Sequence, residues 1–285
     1  MPELPEVQTI TSDLKRYFEN SVISDVKITK EYIVYPNNDF FLQYTINVHI
    51  NTIFRVAKNI VFALENGYHL VFHLAMTGRL LIRAPKQKPD MWTKAVFTLK
   101  KNNKEVEVRF CDMRMFGKIA LYNKEEFEKM KKKYGPEAHK NELNAKEFIE
   151  RLKSKRTTIK NALMDQSIVA GLGNIYATDS LFLAGIHPET KTQNIDLNSA
   201  KKLLNAMSLI VNEGIEHRGS TLEDEMYVDA FGKPGTHQKY FRVYGKKACI
   251  NCNNKISVKK INGRGTYYCS FCQILLKETA NPQLL

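Results

Sequence analysis

The chain begins Met-Pro-Glu-Leu-Pro-Glu, and removal of the initiator methionine would leave Pro2 as a secondary amine with an acid, Glu3, beside it. An α-amino group has a pKa of roughly 7.7 to 8.0, far below that of a lysine, so part of it is neutral near pH 7. As the neutral amine it can attack a sugar carbon and form an iminium, which is covalent catalysis of the Schiff-base kind. The plainer reading is a terminus that frays, as many do. Near the other end, Cys249, Cys252, Cys269 and Cys272 form a C-x2-C-x16-C-x2-C array, the spacing of a zinc ribbon. Four thiolates close a tetrahedral shell, so such a metal is structural and activates no water. Two disulfides are the alternative and need an oxidising compartment. Residues 1 to 25 carry acids from position 3 onward and no apolar core of signal-peptide type, and no later run approaches membrane-spanning length. Spacing and compartment together point to one zinc ion. The fifth cysteine, Cys111, lies in a strand-like run and reads as a buried thiol.

Charge indicates the partner. Lysine and arginine number 43 against 30 acids, a formal net charge of +13, so the surface repels itself unless a polyanion is near, and nucleic acid leads the candidates. A basic membrane-surface protein would carry an amphipathic helix with a bulky aromatic face, and none stands out. With 43% hydrophobic residues over 285 positions, there is apolar material for two domains and no sign of extended disorder.

The elements that must hold these residues follow from periodicity. Val7, Ile10, Leu14 and Phe18 recur at helical spacing behind the Pro-Glu opening. From Val22 to about Tyr122 the pattern becomes short β-rich runs, among them YTINVHI, IVFAL, YHLVFHL, AVFTL and EVEVRF, with Asn66-Gly67 as a hairpin turn signal and Asn102-Asn103 as a weaker one. An α+β fold is expected: an N-terminal β-sandwich with a flanking helix over residues 1–134, and a hinge over 135–146 around Gly135-Pro136. Beyond it the period is helical. Asn144 and Glu147 match a capping box, and Ile195 to Arg218 places Leu203, Met207, Ile210 and Val211 on one face. Between these helices, Gly171-Leu172-Gly173 separates two helical patterns, with Asn174 starting the second. Amides at such a turn can hold a phosphate, although a mere tight turn is the commoner explanation.

Jointly these residues resemble the formamidopyrimidine-DNA glycosylases, bifunctional base-excision enzymes of bacteria. The resemblance covers nearly the whole chain. It rests on the Pro-Glu-Leu-Pro-Glu opening, Lys58 in FRVAKNIVFAL, His-Leu-Ala-Met-Thr-Gly at 73–78, Asp-Met-Arg-Met-Phe-Gly at 112–117 and Gly-Leu-Gly-Asn-Ile-Tyr-Ala at 171–177. Gly-Lys-Pro-Gly at 232–235, Val-Tyr-Gly at 243–245 and Gly-Arg-Gly-Thr at 263–266 complete it. It implies a helix-two-turn-helix domain over 147–240, a zinc ribbon with a C-terminal tail over 241–285, and DNA in the cleft between the domains. It also implies removal of oxidised purines such as 8-oxoguanine and formamidopyrimidines, followed by β,δ-elimination at the abasic site. Pro2 would attack C1′ of the damaged nucleotide, Glu3 would act as general acid and base, and Glu6 would support the terminus. Lys58 would assist proton transfer near the flanking phosphate; its place between apolar strand residues argues against a merely solvated lysine. His73 would help form the phosphate-binding surface, or serve as a satisfied histidine at a strand end. Met76, Arg114 and Phe116 would fill the vacancy left by the everted nucleotide, although packing in the core is the usual role of a methionine and a phenylalanine. Arg156, Lys160 and Asn174 would grip phosphates, as would Lys94, and Arg264 at the ribbon tip would hold the phosphate at the lesion and assist the second elimination.

The chain departs from the family pattern in places. Lys94 stands where a histidine is usual, Ala75 replaces a common glycine, and Met115 sits where a basic residue is frequent. Asn253 follows the second cysteine where glycine is common, and asparagine tolerates the left-handed conformation. The stretch before Gly232 is long, and a tail follows Cys272. An endonuclease VIII-like glycosylase for oxidised pyrimidines is the nearest rival, with Leu4 against it; a non-catalytic zinc-ribbon protein that binds damaged DNA is the rival of another class. The expected protein is a monomer of the bacterial cytosol acting on double-stranded DNA that carries an oxidised base or an abasic site, with no membrane partner.

Overall fold

The computed structural model describes residues 2–140 and 142–277. The apolar stripe of Val7, Ile10, Leu14 and Phe18 forms one face of helix α1 (Leu4–Phe18) and is fully buried. Strand β1 (Val22–Ile28) follows, and then α2 (Asn38–Thr45), which occupies the start of the expected strand YTINVHI. The Asn37 side chain caps α2 by accepting from the Phe40 N–H at 2.9 Å, and a capped first turn outweighs the strand preference of Tyr44 and Thr45. The remaining strands are β2 (Val48–Val56), β3 (Asn59–Leu64), β4 (His69–His73), β5 (Gly78–Arg83), β6 (Thr93–Lys101), β7 (Lys104–Asp112) and β8 (Lys118–Tyr122), before helix α3 (Lys124–Lys131). Both expected hairpin turns are present, with Gly67 at φ +84 and Asn102 and Asn103 at +49 and +59.

The strands form an antiparallel sheet in the order β5-β7-β6-β1-β2-β3-β4-β8. At its middle β1 and β2 share only the pairs Val22↔His49 and Ile23↔Val48. The sheet folds at this narrow joint, so that Phe72 of β4 meets Phe97 of β6 at 5.3 Å and Phe110 of β7 at 6.3 Å. Strands far apart in the order therefore face one another as a sandwich. Tyr227 and Ala230 lie in this same core. The chain accordingly divides into one compact unit of Met1–Lys132 with Gly214–Gln238 and another of Lys133–Glu213 with Lys239–Leu285. The expected linear order places residues 214–238 with the helical domain, whereas they return to bury Tyr227 and Ala230 in the first core.

The second unit contains α4 (Ala145–Lys153), α5 (Ile159–Met164), α6 (Asn174–Leu183) and most of α7 (Leu197–Glu216), then the hairpin β9 (Ser257–Ile261) and β10 (Arg264–Tyr268). Asn144 and Glu147 close a capping box at α4. Leu203, Met207, Ile210 and Val211 of α7 are all buried. The segment after Cys272 runs along residues 186–194, where the Ile274 N–H donates to the Gly185 carbonyl and the Asn194 amide donates to the Leu276 carbonyl at 2.9 Å. Residues 278–285 of the tail lie outside the described residues. No helix among the described residues is long and apolar enough to cross a membrane.

Candidate active site and nucleic-acid interface

The first unit buries Pro2 and Glu3 at the start of the described chain. Pro2 is buried and Glu3, 2% exposed, caps α1. The Glu3 side chain accepts from the Glu6 N–H, while the Glu3 N–H donates to Glu6 Oε2 at 2.8 Å. The other Glu6 oxygen accepts from the Ser220 N–H at 2.7 Å. One carboxylate thus ties the start of α1 to the returning segment. Two glycines make this possible. At Gly219 (φ +79) a Cβ would lie 2.8 Å from Glu6 Cγ, and at Gly235 a Cβ would lie 2.2 Å from the Gly219 carbonyl oxygen, which gives the Gly-Lys-Pro-Gly motif a packing role. Behind α1, Arg218 bridges Asp13 at 2.6 Å and Asp229 at 2.7 Å.

Lys58 lies in the tight turn between β2 and β3, next to Ala57 at φ +52, and is half-buried there. It thus lies between the end of β2 and the start of β3. His73 pairs with Asn59 across β3 and β4, and its Nδ1 lies 3.0 Å from Asn59 Oδ1. Burial, with the charges of Lys58 and Lys118, pushes the His73 pKa down, against a hydrogen bond with the Lys58 backbone. The ring is therefore neutral near pH 7 and would meet an anion as an N–H donor without a charge. Lys94, at the start of β6, is half-buried, and its carbonyl accepts from the Thr29 N–H.

Met76, between β4 and β5, and Arg114 and Phe116, between β7 and β8, come together on the surface. Arg114 donates to Met76 Sδ at 3.3 Å, and its guanidinium lies 4.8 Å from the Phe116 ring centre. Met76 is 42% exposed and Phe116 54%, which removes the core-packing alternative. The support is Asp112, fully buried, a residue that sequence motifs place but do not explain. Its carboxylate accepts from the Arg114 N–H at 3.2 Å, the Gly117 N–H at 2.7 Å and the Thr77 hydroxyl. Ala75 and Met115 hold φ +49 and +56, left-handed values that carry a cost of about 1–2 kcal/mol without glycine.

The second unit holds the remaining candidates. Arg156 is exposed and lines a pocket of about 710 Å³ with Lys191 and Lys277. Lys160 is 1% exposed, and its ammonium donates to the Asn174 carbonyl at 2.7 Å and the Thr178 hydroxyl at 2.6 Å. Its ammonium thus faces the N-terminal half of α6 inside the unit. Asn174 is the first residue of α6, and its side-chain amide donates to the Gly265 carbonyl at 3.0 Å, joining the helix start to the hairpin. Gln166 ties the preceding turn from both ends, accepting from the Gly171 N–H and donating to the Leu172 carbonyl. Asp179 does the same for the Val-Tyr-Gly motif, accepting from the N–H groups of Arg242, Val243 and Tyr244. Arg264 follows the Asn262-Gly263 turn and is exposed at the tip.

The four cysteine Sγ atoms lie within 4.8 Å of one another, with Cys249 and Cys272 at 3.7 Å and Cys252 and Cys269 at 3.5 Å. Tetrahedral zinc with bonds of about 2.3 Å requires sulfurs about 3.8 Å apart, whereas a disulfide requires about 2.05 Å, so the geometry fits a metal and no bridge. The Asn251 N–H points at Cys249 and the Asn254 amide at Cys252. Hydrogen bonds from Asn254 push the Cys252 thiol down, while the neighbouring thiols push Cys272 up and burial pushes Cys269 up. Asn253 takes the left-handed conformation, at φ +58.

Comparison with known proteins accords with this arrangement. Residues 1–119 match the model of the formamidopyrimidine-DNA glycosylase N-terminal domain, and residues 134–226 match that of the formamidopyrimidine-DNA glycosylase H2TH domain. The formamidopyrimidine-DNA glycosylases of Desulforamulus reducens and Rickettsia conorii are 36% and 32% identical, each over 96% of this chain and 99% of the relative. A Lactococcus lactis FPG mutant solved with Fapy-dG-containing DNA superposes with a TM-score of 0.87 at 29% identity, over 95% of this chain and 99% of that one. MutM in complex with DNA containing carbocyclic 8-oxo-G gives the same values. With both domain models matched in order and relatives aligned over almost the full length, the chain belongs to the formamidopyrimidine-DNA glycosylase family and is a DNA glycosylase.

Proposed function

We propose that this chain is a bifunctional glycosylase and abasic-site lyase that removes 8-oxoguanine and formamidopyrimidines from duplex DNA, working as a monomer in the bacterial cytosol. The observation that carries the reading is the buried Pro2-Glu3 pair at the start of α1, held by Glu6 and through it by Ser220. With Met1 removed, the positive end of the helix disfavours the Pro2 ammonium, and the neutral amine attacks C1′ as the base departs. Glu3, beside it, passes a proton to the opening sugar and then serves as base. The iminium that results makes the adjacent C2′ proton acidic, and loss of the two flanking phosphates by β- and δ-elimination follows. Lys58 and Arg264 are assigned to these later transfers. Phe116 enters the stack and Arg114 supplies donors to the orphaned base, while Arg156, Lys94, His73 and Asn174 bind the backbone. A single zinc, held by Cys249, Cys252, Cys269 and Cys272, supplies folding free energy to the ribbon and no chemistry.

Borohydride reduction of the protein on an oligonucleotide with one 8-oxoguanine opposite cytosine tests this reading. A covalent adduct is expected, and mass spectrometry of its digest should place the link on residue 2. A link on Lys58, or no adduct from protein whose mass shows Met1 removed, overturns the mechanism.

A further inference from the structure

The chain has a single tryptophan, Trp92, and it is placed at a cost. It lies just before β6 with 40% of its surface exposed, beside Met91 at 72%, and its backbone is left-handed at φ +59. A bulky side chain in that region is a true outlier, and such strain gathers where surrounding structure imposes it for use. Here the surroundings do impose it. Arg109, 3% exposed, donates to the carbonyls of Gln87 and Lys88 at 2.8 Å and to Asp90 at 3.1 Å. Asp90 also accepts from Arg83. The Trp92 carbonyl accepts from the Asp112 N–H at 2.9 Å. Asp112 is the residue whose carboxylate fixes the Arg114–Gly117 loop, so the tryptophan corner and the Met76–Arg114–Phe116 cluster are set on one anchor.

We propose that the Met91–Trp92 corner is a second apolar contact with duplex DNA, laid on the base stack where the Phe116 wedge opens it. Charge favours this occupant. Lys86 and Lys88 in the same loop are exposed, while its one acid, Asp90, is spent between two arginines. A rigid aromatic on a preset loop loses little freedom on binding, and every base offers a face to stack on. The inference rests on the DNA-glycosylase reading, and its test separates the two.

Because Trp92 is alone, its emission reports this contact directly. The full protein is titrated with a duplex carrying an abasic-site analogue, with tryptophan emission and the anisotropy of a dye on the DNA followed together. Emission should be quenched in step with the rise in anisotropy. Trp92→Ala should weaken binding by about 5- to 100-fold, the range found when a stacking aromatic is removed, and Trp92→Phe should restore most of it. Should the alanine variant fail to fold, the wild-type titration and the phenylalanine variant still decide. Rising anisotropy with unchanged emission and unchanged Trp92→Ala affinity overturns the contact and leaves the glycosylase reading standing. No binding of the lesion duplex at all defeats that reading first. A change in emission that follows protein concentration without DNA would assign the corner to a second copy of the chain.

Discussion

Glu3 and Lys160 show what a residue's environment adds to its type. Glu3 is legible from its place beside Pro2, and the fold supplies the reason it can work: it is buried at a helix start with its own N–H held by Glu6. Glu3→Gln is nearly isosteric and should leave lesion-duplex affinity intact, yet slow base release by roughly a hundredfold to ten-thousandfold, the usual worth of a positioned proton transfer. Single-turnover excision beside a binding titration checks both halves. Lys160 was legible only as a basic residue ahead of a glycine turn, because sequence alone does not say which way a six-residue helix points. With its ammonium enclosed by Asn174 and Thr178, Lys160→Met leaves buried acceptors without a donor. A loss of about 1–3 kcal/mol in stability is expected, with the salt dependence of DNA affinity unchanged because no phosphate contact is lost. A salt slope lowered by about one unit would return Lys160 to the backbone.

Among the elements, the turns were the most readable and the supports the least. Asn-Gly and Asn-Asn pairs announce hairpins because few residues adopt left-handed backbone, whereas Asp112 looks like any acid at a strand end until the amides it receives are seen. Helix α2 was hidden because Phe40, Phe41 and Tyr44 favour strands, and the cap at Asn37 is a weaker signal than three aromatics. The cysteine array was readable in full, since spacing alone sets which sulfurs can converge. Its hairpin has a small apolar cluster of Phe182, Val243, Cys249, Ile256 and Cys269, too little to stand without metal. Chelation should therefore release about one equivalent of zinc, raise hydrogen exchange over 249–272 and abolish DNA binding through loss of Arg264, while α1 and the sandwich keep their protection. Retention of hydrogen-exchange protection in a metal-free ribbon would contradict the assignment.

Over the whole molecule, two-domain composition was legible and the path of the chain was not: nothing in the pattern of residues 214–238 says that Tyr227 and Ala230 complete a core begun more than a hundred residues earlier. Burial also sets the acid response. His69, His73 and His187 are each pushed below the ordinary histidine value, chiefly by desolvation. The native state then binds fewer protons than the unfolded chain below about pH 6.5, so this stability is complete above that pH and is lost as the pH falls. Asp13 and Asp179, raised by burial, tilt the other way. Thermal melts should show Tm falling between pH 7 and 5.5, with His73→Gln flattening part of the slope; an unchanged slope in that variant would mean His73 is accessible and protonated in the fold.

The return of Gly214–Gln238 to the first unit also imposes an order of events at birth. The Ser220 N–H that completes the hold on Glu6 does not exist until more than two hundred residues have been made, an interval of about 10–45 seconds at ordinary elongation rates. For that time the aminopeptidase that exposes Pro2 meets a nascent end not yet tied to Ser220; afterwards Pro2 and Glu3 are buried. A chain synthesised with Met1 blocked, then folded and unblocked, should be a poor substrate for methionine aminopeptidase, and the same chain held in urea and assayed promptly after dilution should be trimmed in part. If the folded chain is trimmed as fast as a free peptide, the terminus opens without the help of the ribosome's schedule.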